Sequence, residues 1–155
     1  MMLGDILHPD NIVPELASTD RWQAIDELIG RLVETKTIRE EDREPIAAVV
    51  RKRENSMSTG IGFGIGIPHA STELIGEVVA AFGRSRSGID FDALDDQPVT
   101  LVVLFLVPQG QFQPHLRTLA DIAKLLHRKE FRQALEEAPD AAAMADVIRK
   151  GSAEH

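Results

Sequence analysis

Histidine is the residue type in this chain best suited to chemistry near neutral pH. Its unperturbed pKa lies close to neutrality, and its neutral ring nitrogen is a good nucleophile toward phosphorus. The chain has five histidines and no cysteine, which excludes a thiol nucleophile, a thiolate metal site and a disulfide. His155 is terminal, His8 lies in a connecting segment, and His127 falls at a predicted helix end, where a cation is favourable to the helix dipole. His69 and His115 remain as the candidates.

His69 and His115 each lie where a small anion could be bound. Pro68 fixes the backbone before His69, and Ala70 leaves the ring uncrowded. On spacing alone, a histidine in such a place is more often an ordinary turn residue. His115 follows Pro114 in the first turn of a predicted helix, after a buried strand, and both helix amino termini and the carboxyl ends of strands favour anions. Two histidines entering one pocket would form a phosphate-sized site.

A glycine-rich stretch precedes His69 and has the period of a β-strand. The glycines Gly60, Gly62, Gly64 and Gly66 alternate with the apolar residues Ile61, Phe63, Ile65 and Ile67. The glycine face would be bare and would let a partner approach the backbone closely. The stretch lacks the Gly-Lys-Ser/Thr ending of a P-loop, and Ile65 occupies the place where a dinucleotide fingerprint needs its third glycine. Neither nucleotide motif is therefore present.

A zinc site is another chemical alternative at the two histidines. His69, His115 and an acidic residue could bind Zn²⁺, but no His or Asp pair with ligand-like spacing accompanies either histidine. The sequence therefore predicts no metal site.

Hydrophobic spacing predicts helices on both sides of a β-sheet. The predicted elements are helices over 18–34 and 41–53, strands over 77–83 and 99–107, a helix from Pro114, and helices over 129–137 and 140–150. Ser18, Thr19 or Asp20 would cap the first helix. Val49 and Leu116 are among the apolar residues expected to face the core. This order of elements predicts an α/β fold.

Composition narrows the class of protein further. The chain has 155 residues, which suits a single domain over 1–155, and its formal charge of −8 disfavours a nucleic-acid partner. The longest strongly apolar stretch, over 101–107, is far below the ~20 residues that span a bilayer. The amino-terminal residues do not have the pattern of a signal peptide, so we expect a cytoplasmic protein.

Residues 54–70 resemble a known phosphorylation-site motif. They read ENSMSTGIGFGIGIPHA, which is similar to the site of type-2 IIA proteins of the bacterial phosphoenolpyruvate-dependent phosphotransferase system. Glu54 stands where the motif has an acidic or amide residue, and His69 stands at the phosphorylated histidine. Gly66 departs from the family, which usually has alanine there, and we expect a looser strand. The similarity covers nearly the whole chain and is strongest to stand-alone nitrogen-regulatory IIA proteins, with the fructose and mannitol IIA domains closely related.

The resemblance implies a fold and a set of site residues. The fold would be a three-layer α/β/α sandwich with a mixed β-sheet flanked by helices. His69 would accept the phosphoryl group and His115 would be the second active-site histidine. Contacts to the phosphoryl group or a partner would come from Arg53, Ser58, Thr59 and Gly60. Arg51 and Lys52 would form a solvated helix end, and no cofactor or metal would be needed.

The resemblance also implies a reaction and its partners. A small carrier of the HPr type would present a phosphohistidine to His69, and the phosphoryl group would pass between two imidazoles. The leading hypothesis is a phosphocarrier that acts mainly as a regulator of target proteins. Three alternatives remain open: a sugar-specific IIA that passes the group to a IIB component, a binding module that is never phosphorylated, and a metal-dependent hydrolase.

Overall fold

The computed structural model describes residues 2–153, which form one six-stranded mixed β-sheet with α-helices on both faces. The strands are β1 (Ile12–Val13), β2 (Gly60–Gly62), β3 (Ile65–Gly66), β4 (His69–Thr72), β5 (Val79–Ile89) and β6 (Val99–Pro108). The helices are α1 (Leu3–Ile6), α2 (Arg21–Glu34), α3 (Arg43–Ser56), α4 (Phe112–Leu126), α5 (Lys129–Glu137) and α6 (Ala141–Ala153). The expected three-layer α/β/α sandwich is confirmed.

Strand β6 positions the other strands of the sheet. It pairs antiparallel with β5 along one edge and parallel with both β3 and β4 along the other edge. β1 pairs with the outer edge of β5, and β2 pairs with the outer edge of β3. β3 lies opposite Leu101 and Val102, while β4 lies opposite the segment from Phe105 to Pro108. β3 and β4 are therefore two successive segments along one edge of β6, and Pro68 lies between them.

Side chains of β6 alternate between the two halves of the core. Val102, Leu104 and Leu106 pack against α2 and α3. Leu101, Val103, Phe105 and Val107 pack on the opposite face, against α4, α5 and α6. The strand is thus buried on both faces, which explains its continuous apolar sequence. Within residues 2–153, no helix combines the length and apolarity that crossing a membrane requires.

The glycine-rich stretch is a hairpin, so the expectation of one strand was wrong. β2 and β3 pair antiparallel, and the chain reverses at Phe63 and Gly64, whose φ angles are +58° and +79°. An alternation of glycine and apolar residues fits a strand and a tight hairpin equally well. The left-handed conformation of Phe63, which bulky residues rarely adopt, had no signal in the sequence.

The bare glycine face of this hairpin is covered by the protein itself. A Cβ atom on Gly60 would lie 2.7 Å from the Cβ of Ala93, and one on Gly66 would lie 2.9 Å from the ring of Phe91. The glycines therefore let the segment over 91–93 pack directly on the hairpin backbone. The expected close approach to the glycine backbone is confirmed, but the segment that approaches belongs to this chain, so the expectation of an open docking face was wrong. A looser strand at Gly66 stays a prediction.

Replacing Gly66 with alanine should destabilise this protein. The Phe91 ring is fully buried, so the new methyl group would push against a side chain with little room to move. Overpacking of this kind costs about 1–3 kcal/mol of unfolding free energy. Urea denaturation would measure the loss, with Gly76→Ala as the control, since nothing lies within 4 Å of a Cβ at Gly76. Equal unfolding free energies for the two variants would contradict the packing argument.

Most predicted helices and strands are present, with some corrections. Asp20 caps α2 by accepting a hydrogen bond from the Gln23 amide at 2.9 Å, as one of the three expected caps. β5 extends six residues beyond its predicted end at residue 83, and α1, β1 and β4 were not predicted. Val49 and Leu116 are 37% and 41% exposed, so their expected burial in the core was wrong.

Candidate active site

His69 is the first residue of β4, and the parallel pairing of β4 with β6 fixes its position. Its register partner on β6 is Phe105, whose amide donates a hydrogen bond to the Pro68 carbonyl at 3.0 Å. Ala70 packs with α2 and α3, so alternation along the strand directs His69 toward the α4 side of the sheet. The strand break at Pro68 thus places His69 beside the start of α4.

A hydrogen bond sets the tautomer of His69. The Nδ1 atom lies 2.7 Å from the carbonyl oxygen of Ile67. Because a carbonyl oxygen only accepts hydrogen bonds, Nδ1 must carry the proton and donate it. Nε2 of the neutral ring is then the nitrogen with a free lone pair, which makes it the nucleophilic atom.

Burial keeps the His69 ring neutral. The residue is 8% exposed, and this desolvation lowers the pKa of the imidazole below its ordinary value of 6.5. The hydrogen bond to Ile67 opposes the shift, and the nearby positive charge of Arg53 adds to it. A neutral imidazole at neutral pH is the protonation state that a nucleophile requires.

An open pocket of about 450 Å³ adjoins His69. Side chains from α3, β4 and α4 line it, including Val49, Lys52, Arg53, Ser56, Ser71 and Phe112. Two of these side chains are cationic, so the pocket suits an anion and opposes a metal cation. Within residues 2–153, no three His, Cys, Asp or Glu side chains are grouped closely enough to hold a metal ion.

His115 lies in the first turns of α4, on the same side of the sheet as His69. Its ring packs edge-on against Phe105, with 6.4 Å between the ring centroids. Its Nδ1 atom is 3.4 Å from the Thr118 hydroxyl, which is long for a hydrogen bond. Phe105 is also the register partner of His69, so it lies between the two histidines, but His115 is not among the residues that line the His69 pocket. A shared pocket for the two histidines stays a prediction.

Phe112 was missed by sequence reasoning. It is the first residue of α4, and its ring stacks on the His69 imidazole with 6.1 Å between centroids and 16° between planes. The one available signal was its spacing of three residues from His115, which places both side chains on one side of a helix.

Arg53 and Glu54 lie in the last turn of α3, where their side chains have different environments. Arg53 lines the pocket and donates a hydrogen bond to the Met57 carbonyl at 3.0 Å. The carboxylate of Glu54 is buried and accepts hydrogen bonds from the amide and hydroxyl of Thr59 and from the Arg21 guanidinium.

These bonds continue from Glu54 to the candidate nucleophile. The Thr59 carbonyl accepts a hydrogen bond from the Ile67 amide at 3.1 Å, and the Ile67 carbonyl accepts the Nδ1–H of His69. A series of hydrogen bonds therefore joins the end of α3 to His69. Glu54 positions the hairpin rather than contacting the pocket.

The structure brings Arg53 to the His69 pocket but does not bring Ser58, Thr59 or Gly60 to its walls. The Ser58 hydroxyl donates to the Phe91 carbonyl at 2.7 Å and accepts from the Gly60 amide at 3.1 Å. The Thr59 hydroxyl is held by Glu54. Contact of these three residues with a phosphoryl group or partner stays a prediction.

The remaining expected features lie outside the pocket or at its rim. Arg51 pairs with Asp26 of α2, while Lys52 is exposed and lines the pocket. His8 accepts a hydrogen bond from the Asp10 amide, and His127 is exposed at the end of α4. His155 lies outside the described residues.

Comparison with known protein families identifies the family of this chain. A family model described as "Phosphoenolpyruvate-dependent sugar phosphotransferase system, EIIA 2" matches residues 5–151. The chain therefore belongs to the type-2 EIIA family of the phosphotransferase system, as the motif around His69 suggested.

Curated relatives carry two kinds of name. A "PTS system fructose-specific EIIA component" of Haloferax volcanii is 40% identical over 81% of this chain and 80% of its own length. A "Nitrogen regulatory protein" of Bradyrhizobium diazoefficiens is 32% identical over 96% of this chain and 95% of its own length. A fructose-specific EIIABC component of Bacillus subtilis is 35% identical, but the chain spans only 23% of its length.

Solved structures share the fold. The nitrogen regulatory protein IIA-Ntr from Neisseria meningitidis superposes with a TM-score of 0.84 at 28% identity, covering 94% of this chain and 98% of that one. A complex of mannitol enzyme IIA with phosphorylated enzyme IIB from Escherichia coli gives a TM-score of 0.77 at 15% identity, covering 97% of this chain and 99% of that one. At that identity, the second match supports the fold alone.

Proposed function

We propose that this chain is a cytoplasmic histidine phosphocarrier in which Nε2 of His69 accepts a phosphoryl group from the phosphohistidine of an HPr-type carrier. The observation that carries the proposal is the neutral His69 ring, whose Nδ1–H is held by the Ile67 carbonyl beside a cationic pocket. Family membership makes phosphoryl transfer the activity to assign to this nucleophile.

The transfer exchanges one N–P bond for another. The lone pair of Nε2 attacks phosphorus while the N–P bond of the donor breaks, and its electron pair returns to the donor nitrogen. Nδ1 of His69 keeps its proton, so the phosphorylated ring remains hydrogen-bonded to Ile67. Positioning and neutralisation of charge supply most of the catalysis in such a step.

Three features would neutralise the transferred group. Arg53 and Lys52 contribute positive charge at the pocket. At the start of α4, Phe112 and Gln113 have amides without a partner inside the helix, because Pro114 has no N–H and the His115 amide donates to the Gln111 carbonyl at 3.3 Å. These two amides would be available to an anion. His115 would donate a hydrogen bond to a phosphoryl oxygen, which is the role that the family resemblance gives it.

The phosphoryl group would act mainly as a regulatory signal. This use is supported by the near full-length similarity to the nitrogen regulatory protein of Bradyrhizobium. A sugar-specific role is the second candidate, favoured by the 40% identity to the fructose-specific component of Haloferax. In that role His69 would pass the group to a IIB component, and a IIA–IIB complex is known for the mannitol enzyme.

A reconstituted assay tests the proposal. Incubation with phosphoenolpyruvate, enzyme I and an HPr-type carrier should add ~80 Da of acid-labile mass to the intact chain. The His69→Ala variant should gain no mass, while the control His127→Ala should gain as much as the wild type, because His127 lies at the far end of α4. An unmodified wild type would favour the alternative of a binding module that is never phosphorylated.

A second arm of the assay separates regulation from sugar transport. The phosphorylated chain would be isolated and mixed with a purified fructose-type or mannitol-type IIB protein. Retention of the phosphoryl mass supports the regulatory role, whereas rapid transfer to IIB supports the sugar-specific role.

A further inference from the structure

The His69 imidazole is covered on one side by a single aromatic side chain. Phe112 stacks on it nearly in parallel, at 16° and 6.1 Å between centroids, and His69 is only 8% exposed. The opposite wall of the pocket is formed by α3. Phe112 is therefore the residue of α4 whose ring helps to enclose the His69 imidazole.

The turn that leads to Phe112 borders open space at Gly110. It is the first residue of α4, it is half-buried, and Gln111 before it makes no side-chain capping hydrogen bond. Gly110 has a φ angle of +87°, and nothing lies within 4 Å of the place where its Cβ would stand. The Gln111 amide donates a hydrogen bond to the Pro108 carbonyl at 3.0 Å, so the turn itself is held. Movement away from His69 is therefore assigned to the half-buried side chain of Phe112.

A phosphohistidine needs this kind of cover. Water can attack its phosphorus, breaking the N–P bond, returning the electron pair to Nε2 and releasing inorganic phosphate. A signalling phosphoryl group must survive that hydrolysis until a protein partner takes it. An apolar ring beside the imidazole would reduce the access of water to the bond, and a donor or acceptor protein that displaced the ring would reach phosphorus more easily.

We propose that Phe112 is a movable lid on His69, a positioning residue that protects the phosphohistidine from hydrolysis and opens when a partner docks. The inference rests on the proposed function of His69. It goes beyond that function because it assigns the lifetime of the phosphorylated state to a side chain outside the motif over 54–70.

The lifetime of the phosphorylated chain tests the lid. Wild type and the variants Phe112→Ala, Phe112→Leu and Leu116→Ala would be phosphorylated, separated from the donor, and followed by intact mass at neutral pH. We expect the phosphoryl half-life to fall several-fold in Phe112→Ala and by less in Phe112→Leu, which keeps apolar cover. Leu116→Ala, an exposed position on the same helix, should match the wild type.

Two further readouts distinguish a lid from a merely structural role. The NMR titration of His69 in Phe112→Ala should show its pKa rising toward the ordinary value, because burial is the main cause of the lowered pKa. Arg53, Lys52 and Glu54 of α3 and His115 of α4 are the other charged or titratable groups at the site, and they are unchanged in this variant. Phosphorylation from the donor should be faster in Phe112→Ala than in the wild type, because a docking donor no longer has to displace the ring.

The outcomes separate the two proposals. Phosphorylated Phe112→Ala with a wild-type half-life would overturn the lid while leaving His69 as the acceptor. Absence of any added mass in the wild type would overturn the proposed function itself. If Phe112→Ala does not fold, Phe112→Leu decides, and a half-life equal to that of the wild type in that variant overturns the lid.

Discussion

Glu54→Ala is expected to remove about 3–5 kcal/mol of unfolding free energy, the cost of breaking a buried ion pair by deleting one partner. The Glu54 carboxylate is 1% exposed and accepts hydrogen bonds from the amide of Thr59 at 2.8 Å and from Arg21 at 3.3 Å. Alanine would leave the donors of Thr59 and the partly buried Arg21 charge without this acceptor. Urea denaturation would measure the loss.

Two variants control the Glu54 prediction. Glu54→Gln keeps one oxygen as an acceptor and should lose less stability than Glu54→Ala. Asn55→Ala changes the next residue of α3, which is exposed, and should stay within about 0.5 kcal/mol of the wild type. An unfolding free energy for Glu54→Ala as close to the wild type as that of Asn55→Ala would show that the buried carboxylate does not hold the hairpin.

The sequence predicted secondary structure correctly where a pattern of residues is compatible with one type of element. The apolar run that became β6 is too short for a membrane and too continuous for an exposed strand, so a buried central strand was the remaining solution. The spacing in α2 likewise fixes one apolar face, and Asp20 supplies the cap. The motif around His69 identified the candidate nucleophile and the arginine that shares its pocket.

The sequence was not informative where the structure depends on contacts between distant segments. Glu54 meets Arg21 because α2 packs beside α3, and Phe112 meets His69 because β4 aligns with the end of β6. No local pattern encodes either contact. Val49 shows a related limit, because helical periodicity identifies an apolar side chain but does not distinguish the core from the wall of a pocket.

Arg51 and Arg53 are basic residues of similar position near the end of α3, but their surroundings differ in the structure. Arg51 turns toward α2 and pairs with Asp26, whereas Arg53 lines the pocket and acts electrostatically on His69. Two arginines spaced by two residues on a helix project in different directions. They therefore form a matched pair for testing which positive charge serves phosphoryl transfer.

Arg53→Ala is expected to slow phosphorylation of His69 by about 100- to 1,000-fold, the usual effect of removing one preorganised donor from a site where negative charge develops. Arg53→Lys should lie between, because an ammonium keeps the charge but lacks the planar fork of the guanidinium. Arg51→Ala should keep the wild-type rate, since Arg51 is paired with Asp26. The initial rate of mass gain at limiting donor would measure each effect. Equal rates for Arg53→Ala and Arg51→Ala would remove Arg53 from the site and leave charge neutralisation to Lys52 and the start of α4.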